Sequence, residues 1–337
     1  MQNSLTQLRI NKFRKSKKAK ISVSLFLIVL FISVFADFIA NDKPIYVNFA
    51  NKSYFPIFKS YPEIVFGGDF ETEADYRDPY VQQLINDSGF FIMPPIQYSF
   101  NTINFNLGSP PPTAPNSDNI LGTDDLGRDV LARLIYGVRI SLLFGICLTV
   151  LSSFVGIVLG AIQGFYGGVI DLVLQRFIEI WSNMPILFIL ITLSAIITPN
   201  FFALLLILFA FSWMTLVQPV RAEFLKTRKL EYIKAARAAG VKESSIIFKH
   251  LLPNALVSTL AFLPFILSGS IITLTSLDFL GFGMPAGSAS LGELLAQGKN
   301  NISAYWIGLT GFFVTGFLLT ILIFVGEAIR DSFKIDD

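Results

Sequence analysis

Apolar residues run for about twenty positions at a time along most of this chain, and polar residues gather between those runs. A spanning helix needs about 20 mostly apolar residues. Six segments reach that length: 21–40, 139–163, 176–198, 201–220, 254–276 and 304–326. Residues 41–138 have a different texture, rich in Pro, Gly, Asn and aromatics. Turn signals fall there at Pro62, Gly67-Gly68, Pro94-Pro95 and Pro110-Pro111-Pro112. Alternating patches such as Ile96–Phe105 predict strands. The pattern predicts an all-α polytopic membrane protein of six transmembrane helices with a small irregular, β-containing insert. It divides into a basic N-terminus (1–20), a first helix (21–40), an insert ending in an amphipathic helix (41–138), a five-helix core holding a polar linker at 221–253 (139–330), and a tail (331–337).

Composition agrees with the membrane class. The chain is 53% hydrophobic and 15% charged, whereas soluble domains carry about 25% charged residues. Its one cysteine, Cys147, lies inside an apolar run, which excludes an intrachain disulfide or a thiolate metal cluster. A small buried hydrophobe is the simpler reading of it.

Charge placement sets the orientation, because Lys and Arg collect on the cytoplasmic side. Arg9, Lys12, Arg14, Lys15, Lys17, Lys18 and Lys20 precede the first span and put the N-terminus in the cytoplasm. A signal peptide is rejected: no Ala-x-Ala site ends the run, and Asp37-Phe-Ile-Ala40 lengthens it into an uncleaved anchor. Counting alternately, 41–138 falls outside, with twelve Asp/Glu against six Lys/Arg. The linker falls inside and carries Arg221, Lys226, Arg228, Lys229, Lys234, Arg237, Lys242 and Lys249 against Glu223, Glu231 and Glu243. The tail, with Arg330 and Lys334, is also inside.

Catalytic motifs are missing. The only Gly-Lys, Gly298-Lys299, is followed by Asn300, so no phosphate-cradling loop of the Walker kind is present. His250 is the sole histidine, and no Gly-x-Ser-x-Gly elbow occurs. Glu179 sits at helical spacing from Arg176, and Asp278 and Glu327 lie near span ends. Paired or solvated boundary charges are the favoured reading, which disfavours a proton-driven carrier. Asn183, Gln218 and Ser268 are polar positions within spans, read either as pore-facing or as helix packing.

Two polar segments carry more design than a connection requires. In Leu121-Gly-Thr-Asp-Asp-Leu-Gly-Arg-Asp129, Asp124 or Asp125 is expected to cap a helix start. Val130, Leu131, Leu134, Ile135 and Val138 then make one apolar face of an interfacial helix. That reading is preferred to a direct substrate contact. In the linker, Glu231–Ala239 is strong helix-former sequence with small residues at Ala235, Ala236, Ala238 and Ala239. Gly240 stands where a left-handed cap is expected, and a second helix runs through Ile246, Ile247 and Phe248 until Pro253, which suits the first turn of the next span. An amphipathic helix resting on anionic lipid is the competing reading, but the alanine face is weakly apolar. Helix–Gly–helix is a shape for insertion into a protein groove.

Lys234-Ala-Ala-Arg-Ala-Ala-Gly240 with Leu252-Pro253 resembles the Glu-Ala-Ala…Gly…Leu-Pro signature of permease subunits in bacterial ABC importers. The 121–129 turn, Gly164-Phe-Tyr-Gly-Gly168 and Leu277-Asp-Phe-Leu-Gly-Phe-Gly283 are similar to the second permease of oligopeptide/dipeptide systems, in the same order along nearly the whole chain. The insert, with Phe66-Gly-Gly-Asp-Phe-Glu-Thr72, resembles the branch that also admits microcin C. The resemblance implies a type I importer permease in the bacterial inner membrane. Its partners would be ATP-binding subunits, a second homologous permease, a periplasmic peptide-binding protein and membrane lipid, with no nucleic acid. It implies no cofactor in this chain, with ATP and magnesium held by the partner ATPase. The residues it implies for ATPase coupling are Lys234, Ala235, Ala236, Arg237, Gly240, Leu252 and Pro253, and for the periplasmic turn Gly122, Asp124, Gly127 and Arg128. Ala235, Ala236 and Gly240 would set the docking geometry, while Arg237 reads more simply as a solvated or lipid-facing charge. Lys234 departs from the pattern by replacing the Glu that opens the signature. A non-transporting membrane scaffold is the alternative reading. A stand-alone secondary carrier predicts inverted repeats, and the chain shows no convincing internal symmetry.

Overall fold

Long apolar runs become long helices because a chain in lipid must satisfy its backbone hydrogen bonds within each segment. The computed structural model describes residues 11–194 and 196–333. Arg9 and Lys334, used above for orientation, lie outside the described residues. The helices are α1 (Lys17–Val34), α2 (Ala36–Ile39), α3 (Pro79–Ser88), α4 (Val130–Tyr166), α5 (Gly168–Ser182), α6 (Ile186–Ser194), α7 (Phe201–Ser212), α8 (Met214–Thr227), α9 (Glu231–Ala238), α10 (Glu243–Ile246), α11 (Leu252–Leu260), α12 (Leu263–Phe279), α13 (Leu291–Asn300) and α14 (Tyr305–Phe333).

Among the described residues, three helical stretches are long and apolar enough to cross a membrane unaided: Val130–Tyr166, Phe201–Thr227 and Tyr305–Ser332. A fourth is the α5–α6 pair, bent by 63°, where Pro185 follows the end of α5. The first and fifth predicted spans take other forms. α1 begins among its lysines and stops at Phe35, and the fifth divides into α11 and the 17-residue α12 around Ala261-Phe262, just before Pro264.

α4 is the axis of the molecule. Its 37 residues extend about 55 Å at 1.5 Å per residue, well beyond a hydrocarbon core of about 30 Å. The expected interfacial helix at 130–138 is therefore the first part of this one helix. Asp129 caps it, with its carboxylate accepting the Ala132 N–H at 2.7 Å, and neither Asp124 nor Asp125 does so. Val130, Leu134, Val138 and Leu142 pack with Leu267 and Ile271 of α12, Leu291 and Leu294 of α13, and Leu318 and Leu322 of α14. α1 closes this core with Phe26, Val29 and Leu30, and Lys18 pairs with Glu327 near the start of α1.

Farther along α4, Gly156, Gly160 and Gly164 lie one above another and let α8 approach to backbone contact. A Cβ at these positions would fall 2.6 Å from the Trp213 carbonyl oxygen, 2.7 Å from that of Val217 and 2.7 Å from that of Arg221, respectively. Small residues at i, i+4 and i+8 make such approach possible in membranes, where dispersion rather than water drives helix pairing.

The insert holds a three-stranded antiparallel sheet of order β2-β1-β3, made of Tyr46–Phe49 (β1), Lys52–Tyr54 (β2) and Gly89–Ile92 (β3). Val47, Phe66, Tyr76, Val81 and Ile85 form its own small core. The strand expected within 96–105 is not formed. Backbone groups there make isolated bridges to different segments, Ile96 to Ile39 and Asn41 at the end of α2 and Asn104 N–H to Gly127, so no ladder grows.

Candidate functional site

The linker folds into an elbow held from within. Ile233 is fully buried with Phe165, Val220, Phe224, Ile246, Leu251 and Ala255, a burial that stabilises by about 1.5–3 kcal/mol. Apart from Ala236, the rest of α9 faces outward: Tyr232, Lys234, Ala235 and Ala238 are exposed, as is Ala239 just beyond it. Gly240 takes φ +75°, and the two bonds of a Schellman cap close the helix. Gly240 N–H donates to Arg237 C=O at 3.0 Å and Val241 N–H to Ala236 C=O at 3.1 Å.

The return of the elbow differs from expectation. The helix does not end before Pro253. It passes from α10 through a π-helical stretch, Ile247–Leu251, into α11. Leu252 N–H reaches back to Ile247 C=O, and a wide turn of this kind accommodates a proline that has no N–H to give.

Of the residues implied for coupling, Ala235 and Gly240 lie on the open face, with nothing within 4 Å of a Cβ built at Gly240. Ala236 and Leu252 are half-buried and pack inward against the Ile233 cluster, and Pro253 is half-buried at the start of α11. Lys234 is exposed, 3.5 Å from Glu231. Arg237 is more than a solvated charge, since it pairs with Glu243 at 3.1 Å and sits 5.5 Å over the Phe165 ring.

Phe165 is gripped from a second side. Arg228 donates to its carbonyl at 2.9 Å, and Arg221 binds Asp171 through two bonds of 2.6 and 2.7 Å. The corner between α4 and α5, which needs φ +65° at Gly167 and +57° at Gly168, is thereby tied to α8 and to the elbow.

At the opposite end, the 121–129 turn is a buried charge cluster. Gly122 and Gly127 take φ +75° and +81°, and a side chain on Gly122 would strike the Thr113 carbonyl and the Trp306 ring. Asp124 is fully buried and accepts N–H bonds from Leu126 at 3.0 Å and Arg128 at 2.9 Å. Arg128 Nε donates to it at 2.7 Å, and Arg133 Nε lies 3.3 Å away. Both arginines also reach Glu293 of α13, at 3.1 and 2.9 Å. Arg133 further donates to the Phe100 and Ser288 carbonyls. Burial pushes the nearby Asp129 carboxyl above the ordinary range, against the Asn119 amide and the helix N–H groups that favour its charged form.

The implied motif Gly122, Asp124, Gly127 and Arg128 is thus one unit, to which the structure adds Arg133 and Glu293. Glu293 had no local signal. Arg133 had one, a cation on an otherwise apolar helix face. Of the polar span residues, Ser268 is buried and bonds to Pro264 C=O of its own helix, and Asn183 to Glu179 C=O. Gln218 donates to Gln175. A cleft of about 300 Å³ lies instead beside Ser212, Thr215, Ser270 and Thr273.

Long apolar helices, an elbow with an open alanine face and a buried charge cluster at the other end make up the candidate site. A family model described as "Binding-protein-dependent transport system inner membrane component" matches residues 156–334, more than half of the chain, and the chain belongs to that family. It is 52% identical over 329 residues to "Inner membrane ABC transporter permease protein YejE" of Escherichia coli (strain K12), covering 98% of this chain and 96% of the relative. It is 53% identical over 352 residues to "Peptidoglycan transport system permease protein YejE" of Agrobacterium fabrum, covering 97% and 92%. "Oligopeptide transport system permease protein OppC" of Bacillus subtilis is 33% identical, over 70% of this chain and 77% of its own. Among solved structures, the inward-facing MetNI methionine ABC transporter shares the fold at a TM-score of 0.50 and 18% identity, covering 60% of this chain and 97% of that one.

Proposed function

We propose that this permease carries peptides or peptide-like compounds, microcin C among them, from periplasm to cytoplasm by alternating access. In this reading the chain lies in the bacterial inner membrane with six spans, both termini cytoplasmic and the insert periplasmic. It pairs with a second, homologous permease. The elbow at 231–253 docks into a cleft of a separate ATPase, which holds the ATP and magnesium, and a periplasmic binding protein delivers the substrate. The names of the relatives, which speak of oligopeptide and peptidoglycan transport, support a peptide-containing substrate.

The observation that carries the docking role is the division of α9 into two faces. Ile233 anchors it, while Ala235, Ala238, Ala239 and Gly240 are left exposed on a linker rich in Lys and Arg. An aspartate at Gly240 brings a side chain and a charge to that face, with backbone strain of about 1–2 kcal/mol at a left-handed φ. Gly240→Asp is expected to abolish ATP-coupled uptake while membrane insertion persists. The test is the complex of this chain with its ATPase and partner permease, in which peptide-stimulated ATP hydrolysis is measured. Normal uptake by a stably assembled Gly240→Asp complex overturns the docking role.

A further inference from the structure

The loop at 54–59 of the insert exposes Phe55 and Phe58, the latter 74% accessible. Lys52 and Lys59 flank it, both exposed, and they are two of only six Lys/Arg in the acidic segment 41–138. The Phe58 ring continues a row of aromatic contacts rising from the first span: Phe31 to Phe35 at 4.5 Å, Phe35 to Phe38 at 6.0 Å, and Phe38 to Phe58 at 5.8 Å. The outward face of α1 below it, with Leu27, Ile28, Phe31 and Val34, is exposed throughout.

The height of Phe58 follows from the length of the helix. Lys17, Lys18 and Lys20 mark the inner boundary; α1 from Lys20 to Val34 rises about 21 Å at 1.5 Å per residue, and the four residues of α2 beyond the Phe35 break add at most about 6 Å. A hydrocarbon core is about 30 Å thick. Phe38, and with it Phe58, therefore stands at the outer boundary, the level at which aromatic belts form and from which a lysine stem can carry its ammonium out to the headgroups.

We infer that the 54–59 loop is a lipid anchor. It seats Phe55 and Phe58 at the headgroup level of the outer leaflet, sets Lys52 and Lys59 against lipid phosphates, and holds the sheet of the insert down on the membrane. The unbroken aromatic path from a lipid-facing helix favours phospholipid over a protein partner as the occupant. The inference rests on the orientation proposed above.

The test places single cysteines at Phe58→Cys and, on the exposed α3, at Asp87→Cys, each in a Cys147→Ala background and in the assembled complex. Spheroplasts treated with a membrane-impermeant maleimide check orientation first. Failure to label Cys at position 87 removes the topology and the outer-leaflet anchor with it. The complex is then reconstituted in phosphatidylethanolamine/phosphatidylglycerol vesicles, and an environment-sensitive dye is attached at each site. Shallow spin-labelled phospholipid is expected to quench the dye at 58 several-fold more than at 87, with iodide showing the opposite order. A labelled position 87 together with an iodide-accessible, unquenched dye at 58 overturns the anchor alone. Shielding at 58 that arises only when the partner permease or the binding protein is added overturns it in favour of protein docking.

Discussion

Replacing Asp124 by Asn is a nearly isosteric change that isolates charge from shape. In the folded protein Asp124 and Glu293 pair with Arg128 and Arg133, and Asp124, Arg128 and Arg133 are almost wholly buried. The amide takes from Arg128 and Arg133 the buried carboxylate they share. If its NH2 turns toward the arginines, donor meets donor, and if its oxygen does, the N–H groups of Leu126 and Arg128 lose an acceptor. Breaking a buried pair by removing one partner costs about 3–5 kcal/mol. Carried entirely by local opening, that cost raises the population of the opened turn by roughly 10²-fold to several thousand-fold. Amide hydrogen exchange of the Asp124, Arg128 and Val130 N–H groups, each bonded within the turn, reports this directly in the reconstituted complex. Combining Asp124→Asn with Arg128→Gln removes both members of the Asp124–Arg128 pair, and the double variant is expected to lose less than the two single losses added together. Exchange in Asp124→Asn within a few-fold of the parent refutes the claim that the cluster holds the insert to α4 and α13.

Two further variants probe the membrane core and the elbow. Gly160→Leu puts branched carbon where a Cβ already meets the Val217 carbonyl, and overpacking of this kind costs about 1–3 kcal/mol or more. The complex is expected to lose thermal stability in detergent, and an unchanged melting temperature counts against close α4–α8 packing. Ile233→Ala removes the buried anchor of α9 at about 2–5 kcal/mol, so the ATPase is expected to co-purify poorly although the exposed face is intact. Full recovery of the ATPase with Ile233→Ala shows that the elbow needs no such anchor.

Much of the elbow was legible because its determinants are local. Helix propensity over 231–239 and one glycine at the αL position specify a capped helix whatever surrounds them. The gentle failure at Pro253 has a local cause too, since a π-helical stretch absorbs the missing donor and the helix runs on. The 121–129 turn was half legible. Gly122 and Gly127 announced tight turns, but the partners of Asp124 include Arg133 and, through the arginines, Glu293 across 165 residues of sequence from Arg128. Spacing along the chain carries no trace of such a meeting. The helix cap was placed on Asp124 or Asp125 rather than Asp129 because all three carboxylates lie within six residues ahead of the same apolar run.

Hydrophobic patterning by itself determined the membrane class, the apolar runs and the polar linker, since transfer from water to lipid depends on composition over about twenty residues and little on what those residues touch. Tertiary structure decided which helix runs through and which breaks, which face of α9 is anchored and which is left open, and which charges are buried together. Those outcomes depend on packing and on pairing between distant segments, where a carbonyl, a ring or an arginine from elsewhere in the chain completes what the local sequence leaves unfinished.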